Sequence, residues 1–526
     1  MIKIKIREGN TGILYITDAS GNQDRYIPDR DLKESNRLLL QFYKLRSYDG
    51  QYIKDSFRKD GINWFPTTIA MLHWHILYMY VQYKSFLEKY PVDEYKYVFL
   101  NRDGFYKFVT LVSPDTSCMS MLRRLLDMFK IRIILFLKKL NNERVLKYYS
   151  VYPLIFFRYK TDDFRTHYIK ENLDDLSVNY IEYASMDPYL FLKNLVARKP
   201  LPVIVPYKAI SNDVCAEYDV PEDLPPLLNK VFRAGACKVQ ELIHDFRSTY
   251  NVFRKQLKNS KITQFYGIDD TNYAYPMIYA CQANGIETIG HQHGANYSPW
   301  DAPYNLNGFN RDEYKWFDKL LVWGEFWKDH ILSTSSAYSK EQIVVGAHMR
   351  PLALASNEAC GVKGSKNILM PYEFYADTHL LGKYICALQD IGYVIYLKWR
   401  PDEQLADELD AYCLPEERKT RIVVVEEITN ELMKKIDIVA ASCSTIIFDA
   451  IPYMKEIWIL ETKFVFGEYL VEKGLAKKIR IEHLESDIKK SAPGIVDHEL
   501  VKYVFSEEKL KNVLQRELHL NETLCI

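Results

Sequence analysis

Between Asn367 and Leu460 short apolar runs alternate with helical stretches in strict turn. Strands are predicted at Asn367–Met370, Val394–Leu397, Ile422–Val425, Ile438–Ala441 and Ile457–Leu460. Helices fall between them at Thr378–Ile391, Glu403–Tyr412, Asn430–Lys435 and from Ser444 to Ile451. Strands joined through helices pair in parallel, and a parallel sheet has to be covered on both faces. The chain is therefore expected to be α/β. A second series lies upstream, with strands at Leu201–Val205 and Ile262–Tyr266, a polar turn at Gly267–Thr271, a helix at Tyr273–Asn284 and a strand at Ile286–Gly290. Further strands follow at Lys319–Trp323 and Ile343–Val345, and the polar stretch Ser356–Ser365 reads as an interdomain linker. The organisation expected is an N-terminal β/α extension (1–90), a Rossmann-like domain (91–354), a second Rossmann-like domain (366–480) and a C-terminal helical tail (481–526) that folds back over the other domain.

Lys and Arg together number 69 and balance 69 Asp and Glu, which argues against a general nucleic-acid binder. The nine cysteines are scattered with no C-x-x-C pair, which excludes the usual zinc ribbons and suggests reduced thiols in a cytoplasmic protein. Met1–Ile6 alternates like a strand and lacks the apolar core of a signal peptide. Residues 62–83 carry no charge and are long enough to span a bilayer. Asn63, Thr67, Thr68, His73, His75 and Gln82 interrupt that run, and Pro66 marks a helix start, so a buried helix is expected. Residues 121–160 hold ten basic side chains against two acidic ones, interleaved with Leu, Ile and Phe. Such a segment suits the anionic inner face of a membrane, so peripheral attachment there is one expectation and a merely solvated basic face the other.

The candidate chemistry gathers at predicted carboxyl ends of strands, where α/β proteins bind ligands. Asp269-Asp270 and Gln292-His293-Gly294 end successive strands of one β-α-β unit and should face one cleft. On its own the Gln-His-Gly turn is equally a hydrogen-bonded loop without chemistry. In the second series Ser442-Cys443-Ser444-Thr445 ends a strand and begins a helix, where backbone N–H groups and hydroxyls suit an anion and Asp449 suits ribose hydroxyls; plain N-capping by Ser444 is the alternative. Arg400-Pro401 ends another strand and suits a phosphate. Glu373 follows the first strand of this domain and could line the same cleft.

A strand ending in QHG, then LLVWGEFW and VVGAHMRP, then a strand followed by Arg-Pro, then S-x-S-T-x-x-x-D-A resembles bacterial GT-B glycosyltransferases of surface polysaccharides. The narrower resemblance is to transferases of CMP-activated Kdo and nonulosonate sugars, which include sialyltransferase-like enzymes. A neighbouring one is to CDP-glycerol polyol-phosphate transferases of teichoic acid synthesis. It covers about residues 240–465. The resemblance implies two Rossmann-like domains facing a cleft, no metal and no cofactor. It implies a nucleotide-sugar donor held by Glu373, Arg400, Pro401, Ser442, Ser444, Thr445 and Asp449. Asp269 or Asp270 is then the base or nucleophile, and His293 either binds sugar or orients that aspartate. Gln292 and Gly294 line the side of the glycan or lipid-linked acceptor. Arg400 stands where these families carry histidine, which removes a proton donor to the leaving phosphate and counts against the polyol-phosphate reading. A nucleotide-sugar epimerase and a non-catalytic sugar-nucleotide-binding assembly subunit are the remaining alternatives.

Overall fold

Two all-parallel sheets carry the molecule. The computed structural model describes residues 2–519 except 10–11, 48, 114–120, 161–165, 205–217, 222, 270–273, 295–308, 311–313, 315, 350–365, 374–375, 400–408, 463–466 and 491–497; of 121–132, 449 and 498 it describes the backbone only. The first large sheet has seven strands in the spatial order Val203–Ile204, Tyr180–Ser185, Leu154–Lys160, Gln264–Ile268, Glu287–His291, Lys319–Val322, Ile343–Val345. Every junction is parallel. Numbered along the chain this is 3-2-1-4-5-6-7, a doubly wound sheet. The second has six parallel strands in the order Ile422–Val425, Val394–Lys398, Asn367–Pro371, Ile438–Ala441, Glu456–Leu460, Lys477–Ile479, or 3-2-1-4-5-6. The two Rossmann-like sheets make the architecture GT-B, as expected. The Ser356–Ser365 stretch and most of the Glu403–Tyr412 helix lie outside the described residues.

Burial explains why these runs are strands. Gln264–Ile268 and Ile438–Ala441 are buried at every position, as central parallel strands covered on both faces must be. The helix Tyr275–Ala283 between Gln264–Ile268 and Glu287–His291 stops as its sequence predicts. Gly285 adopts φ +72°, the Ile286 N–H reaches the Cys281 carbonyl at 3.0 Å and the Gly285 N–H reaches that of Gln282 at 3.1 Å, a Schellman motif.

The N-terminal region forms its own four-stranded sheet, ordered Gln23–Tyr26, Leu14–Thr17, Ile2–Glu8, Tyr95–Phe99. Tyr95–Phe99, at the start of the span expected for the first Rossmann-like domain, pairs in parallel with Ile2–Glu8 instead. The uncharged run becomes a continuous helical stretch from Phe65 to Lys89 that includes a π-helical turn at His73–Leu77, and most of it is buried. Among the described residues no helix is long and apolar enough to cross a membrane. The basic segment resolves into a helix, Met121–Tyr148, leading into the strand Leu154–Lys160. One expectation is corrected: Cys237 is disulfide-bonded, while Cys281, Cys386, Cys413 and Cys443 are free thiols. Spacing along the chain cannot reveal such a bond, because it depends on which Cα atoms the fold brings together.

The C-terminal helices lie across the first Rossmann-like domain. The Ser506 N–H donates to the Trp323 carbonyl at 2.6 Å. At the end of the helix Leu510–Glu517, Lys319 pairs with Glu517 at 3.4 Å, and Gln264 donates to the Glu517 carbonyl at 2.8 Å. The two domains also meet through aromatic rings. Trp327 lies 4.7 Å from Phe448 and His330 stacks on Tyr469 at 4.4 Å, centroid to centroid.

Gly324 is where the tail passes closest. A Cβ there would sit 2.5 Å from the Val504 carbonyl oxygen and 2.6 Å from that of Tyr503, both backbone atoms that cannot rotate away. Gly324→Ala is expected to cost about 1–3 kcal/mol by overpacking. The readout is faster proteolytic release of the C-terminal helices, with a lower urea midpoint.

Candidate active site

Each doubly wound sheet reverses direction beside its first strand, and the crevice opens at the carboxyl ends there. In the first sheet that point lies between Leu154–Lys160 and Gln264–Ile268, and the residue leaving the latter strand is Asp269. Its backbone N–H donates to the His291 carbonyl at 2.9 Å, which extends the ladder one step past the strand end. Its carboxylate Oδ1 accepts from the His293 backbone N–H at 3.0 Å and from the His293 ring Nδ1. Asp269 is 2% exposed. The bond at Nδ1 makes that nitrogen the protonated one, so the neutral ring carries its lone pair on Nε2. Asp270 lies outside the described residues.

The two histidines of the loop have separate environments. His291 ends its strand fully buried, with Nε2 2.7 Å from the Ala347 carbonyl and Nδ1 2.7 Å from the Tyr266 hydroxyl. A carbonyl only accepts, so Nε2–H donates to it and Nδ1 accepts the Tyr266 O–H. Burial lowers the His291 pKa to about 4, with the Ala347 carbonyl and Asp269 pulling the other way. His291 is a neutral brace. Gln292, expected on the acceptor wall, is also wholly buried. It donates to the Gly294 carbonyl at 3.0 Å, its Oε1 accepts the Trp323 N–H at 3.0 Å, and its carbonyl accepts the Trp323 indole N–H at 2.8 Å. Its side chain is occupied in shaping the loop that presents His293, and Gly294 is buried beside it. Burial, with the charge of Asp269 adding to it, holds the Tyr338 phenol well above the usual range.

In the second sheet the switch point lies between Asn367–Pro371 and Ile438–Ala441. Here Glu373 leaves one strand and Ser442 leaves the other. The Ser442 N–H donates to Glu373 Oε2 at 2.7 Å and the Cys443 N–H to Oε1 at 2.5 Å. These amides, expected to receive a ligand anion, are therefore held by a carboxylate of the protein. Burial raises the Glu373 pKa to about 7 against the downward pull of the Ser442, Cys443 and Ser444 amides. The Ser442 hydroxyl is also buried, 2.6 Å from the Thr462 hydroxyl. Ser444 and Thr445 remain partly exposed and precede a short helix, Ile446–Asp449. Ser444 does not cap it in the expected way: Thr445 is the N-cap, without a side-chain cap bond, and Ser444 Oγ accepts from the Ile446 N–H at 3.3 Å. Arg400 and Pro401 lie outside the described residues, and of Asp449 only the backbone is described.

An aromatic path joins the two edges. Trp323, which holds Gln292, packs edge-on against Trp327 at 5.5 Å, and Trp327 packs on Phe448 in the helix after Thr445.

No protein-family model matches the chain, and no curated protein matches it. Among solved structures it is similar to MurG of Acinetobacter baumannii (12% identity, TM-score 0.43, 70% of this chain and 99% of that one). It is similar to the UDP-GlcNAc 2-epimerase of Methanocaldococcus jannaschii in complex with UDP-GlcNAc and UDP (13%, TM-score 0.43, 70% and 99%). It is also similar to the wall teichoic acid polymerase TagF, a histidine-to-asparagine variant soaked with CDPG (13%, TM-score 0.39, 77% and 100%). These are remote likenesses, and the strand order of the sheets is what assigns the architecture.

The buried His291 makes a pH prediction. Its folded pKa of about 4 lies below the unfolded value of 6.5, so the folded state resists a proton that the unfolded chain accepts. Its effect on stability is nil above pH 6.5 and becomes a loss as pH falls from 6.5 toward 4. At pH 5 the loss is about 2 kcal/mol. Between pH 7.5 and pH 5, wild type should lose about that much more unfolding free energy than His291→Gln, measured by urea denaturation at both pH values. An equal loss in both proteins would remove the buried neutral imidazole from the account.

Proposed function

We propose that this protein is a glycosyltransferase that moves a sugar from a nucleotide donor to a glycan or lipid-linked glycan acceptor, with a CMP-activated Kdo or nonulosonate as the favoured donor. The observation that carries the proposal is the Asp269–His293 pair at the switch point of the first sheet. Asp269 holds Nδ1–H, and His293 Nε2 takes the proton of the acceptor hydroxyl as its oxygen bonds to the anomeric carbon. The bond from that carbon to the donor phosphate breaks, and the nucleotide monophosphate leaves with the electron pair. The burial of Asp269 favours this orienting role over direct attack on the sugar. The preference for a CMP donor rests on the sequence motifs.

On the donor side, Ser444 and Thr445 are the proposed described ligands of the nucleotide. Arg400, with Pro401 behind it, lies two residues past the strand Val394–Lys398, and its guanidinium is the proposed partner of the phosphate. Asp449 is proposed for ribose. Glu373 is assigned a positioning role: its carboxylate fixes the 442–444 backbone so that the exposed hydroxyls face the donor. Neutralisation of the leaving group by these donors needs no metal.

Two measurements test the reading. His293→Gln should lower donor turnover about 10²–10⁴-fold, the range for a lost general base, with the donor KM little changed. Asp269→Asn should fall in the same direction, because it leaves the imidazole unoriented. Turnover within threefold of wild type in both variants overturns the base assignment. In a thermal-shift panel of CMP, CDP, UDP and GDP, CMP should stabilise most. Stabilisation by UDP or GDP without CMP sinks the donor assignment, and CDP alone points to a polyol-phosphate transferase.

A further inference from the structure

The helix Met121–Tyr148 is longer than the sheet edge it packs on. Asn142 holds the open edge of the strand, donating to the Ile204 carbonyl and accepting the Ile204 N–H, each at 2.8 Å. The helix runs into Leu154 and so opposes the strands, which places its lower-numbered residues toward and past the carboxyl ends. At 1.5 Å per residue, Phe136 stands about 9 Å beyond Asn142 and Ile133 about 13 Å, on the side of the sheet where Asp269 and His293 lie.

That overhang is apolar and uncovered. Ile133, Phe136 and Leu140 share one helical face and are 43%, 60% and 46% exposed. The helix Pro188–Val196, which follows the strand Tyr180–Ser185, also opposes the strands. It adds Tyr189 at 76%, Leu190 at 39% and Val196 at 83%. Leu137 packs into a small cluster around Phe191, and Lys138 Nζ sits 5.9 Å over the Phe191 ring, which fixes the helices to each other. The apolar residues of the first helix thus face both inward and outward, and nothing described covers the outward ones.

Charge selects what covers them. Over 133–147 and 187–199 the exposed basic side chains are Lys139, Arg144, Lys147, Lys193, Arg198 and Lys199, and the acidic residues are Glu143 and Asp187. Asp187 is already engaged as the N-cap of its helix, accepting from the Tyr189 and Leu190 N–H groups. In sequence the helix start 121–132 holds Arg123, Arg124, Lys130 and Arg132 against Asp127. We infer that these two helices form a docking face for an anionic phospholipid surface, with Phe136, Tyr189 and Val196 entering the interface and the lysines and arginines meeting the headgroups. Apolar side chains flanked by cations bind interfacially without spanning. By the same chain direction Phe136 and Tyr189 lie toward the carboxyl ends and Val196, Arg198 and Lys199 toward the amino ends, so the face runs along the outside of the first domain. Vesicle binding is read without turnover, so this inference stands or falls apart from the transfer reaction proposed above.

The test is flotation of the full chain with phosphatidylcholine vesicles, with and without phosphatidylglycerol. Wild type should float with the anionic vesicles and be released by salt. Replacing Phe136, Tyr189 and Val196 together by Ser should cut binding at least tenfold while leaving the thermal midpoint unchanged, since all three side chains are exposed. Lys193→Glu with Lys199→Glu should abolish the preference for phosphatidylglycerol. Absence of wild-type binding overturns the inference, as does undiminished binding of the Ser variant. A Ser variant that turns a dimer into a monomer with vesicle binding unaltered assigns the face to a second copy and overturns it equally.

Discussion

Parallel pairing sends every strand of a sheet toward the same edge, and winding outward from the first strand in both directions leaves a gap at that edge beside it. The Asp269–His293 pair depends on this constraint together with register. Gly267 faces Gly290 and Ile268 faces His291 across the fourth and fifth strands. The next residue, Asp269, then meets the loop that carries His293, although 24 positions separate them. A slip of one residue would turn the Asp269 side chain to the opposite face of the sheet. Gly290 shows how closely the register is packed, because a Cβ there would come within 2.3 Å of the Phe317 ring.

The two edges solve opposite electrostatic problems. In the first domain a buried carboxylate is balanced by an imidazole and a backbone N–H, which orients a ring whose other nitrogen can move a proton. In the second, a buried glutamate takes up amides that would otherwise attract any anion. An unpaired buried carboxylate is costly, so Glu373 and its amides stabilise one another and keep the loop in one conformation. Trp323, Trp327 and Phe448 connect these loops by ring packing, so the geometry of one edge is mechanically tied to that of the other.

Much of the fold was legible because it is repetitive. Nearly every strand of the second sheet announces itself by an apolar β-branched run, since strands covered on both faces must be apolar throughout. Lys477–Ile479 escaped notice, being an edge strand of three residues with two lysines. Tyr95–Phe99 reads as a strand, but nothing local says which sheet it joins. The site was half legible. Asp269 and His293 could be placed at neighbouring strand ends, whereas the division of labour between His291, Gln292 and His293 could not. It depends on Tyr266, Trp323 and Ala347, whose partners lie 25 to 56 positions away.

The sequence by itself determined the α/β class, the two sheets and the strand ends at which polar residues gather, because periodicity and helix stops act over a few residues. Only the tertiary structure decided which polar groups are spent inside and which face outward. It buried Gln292 and His291 as braces, set Glu373 on the Ser442 and Cys443 amides, and left Phe136 and Tyr189 uncovered. Burial and hydrogen-bond pairing between distant segments are properties of the packed chain, and no local pattern encodes them.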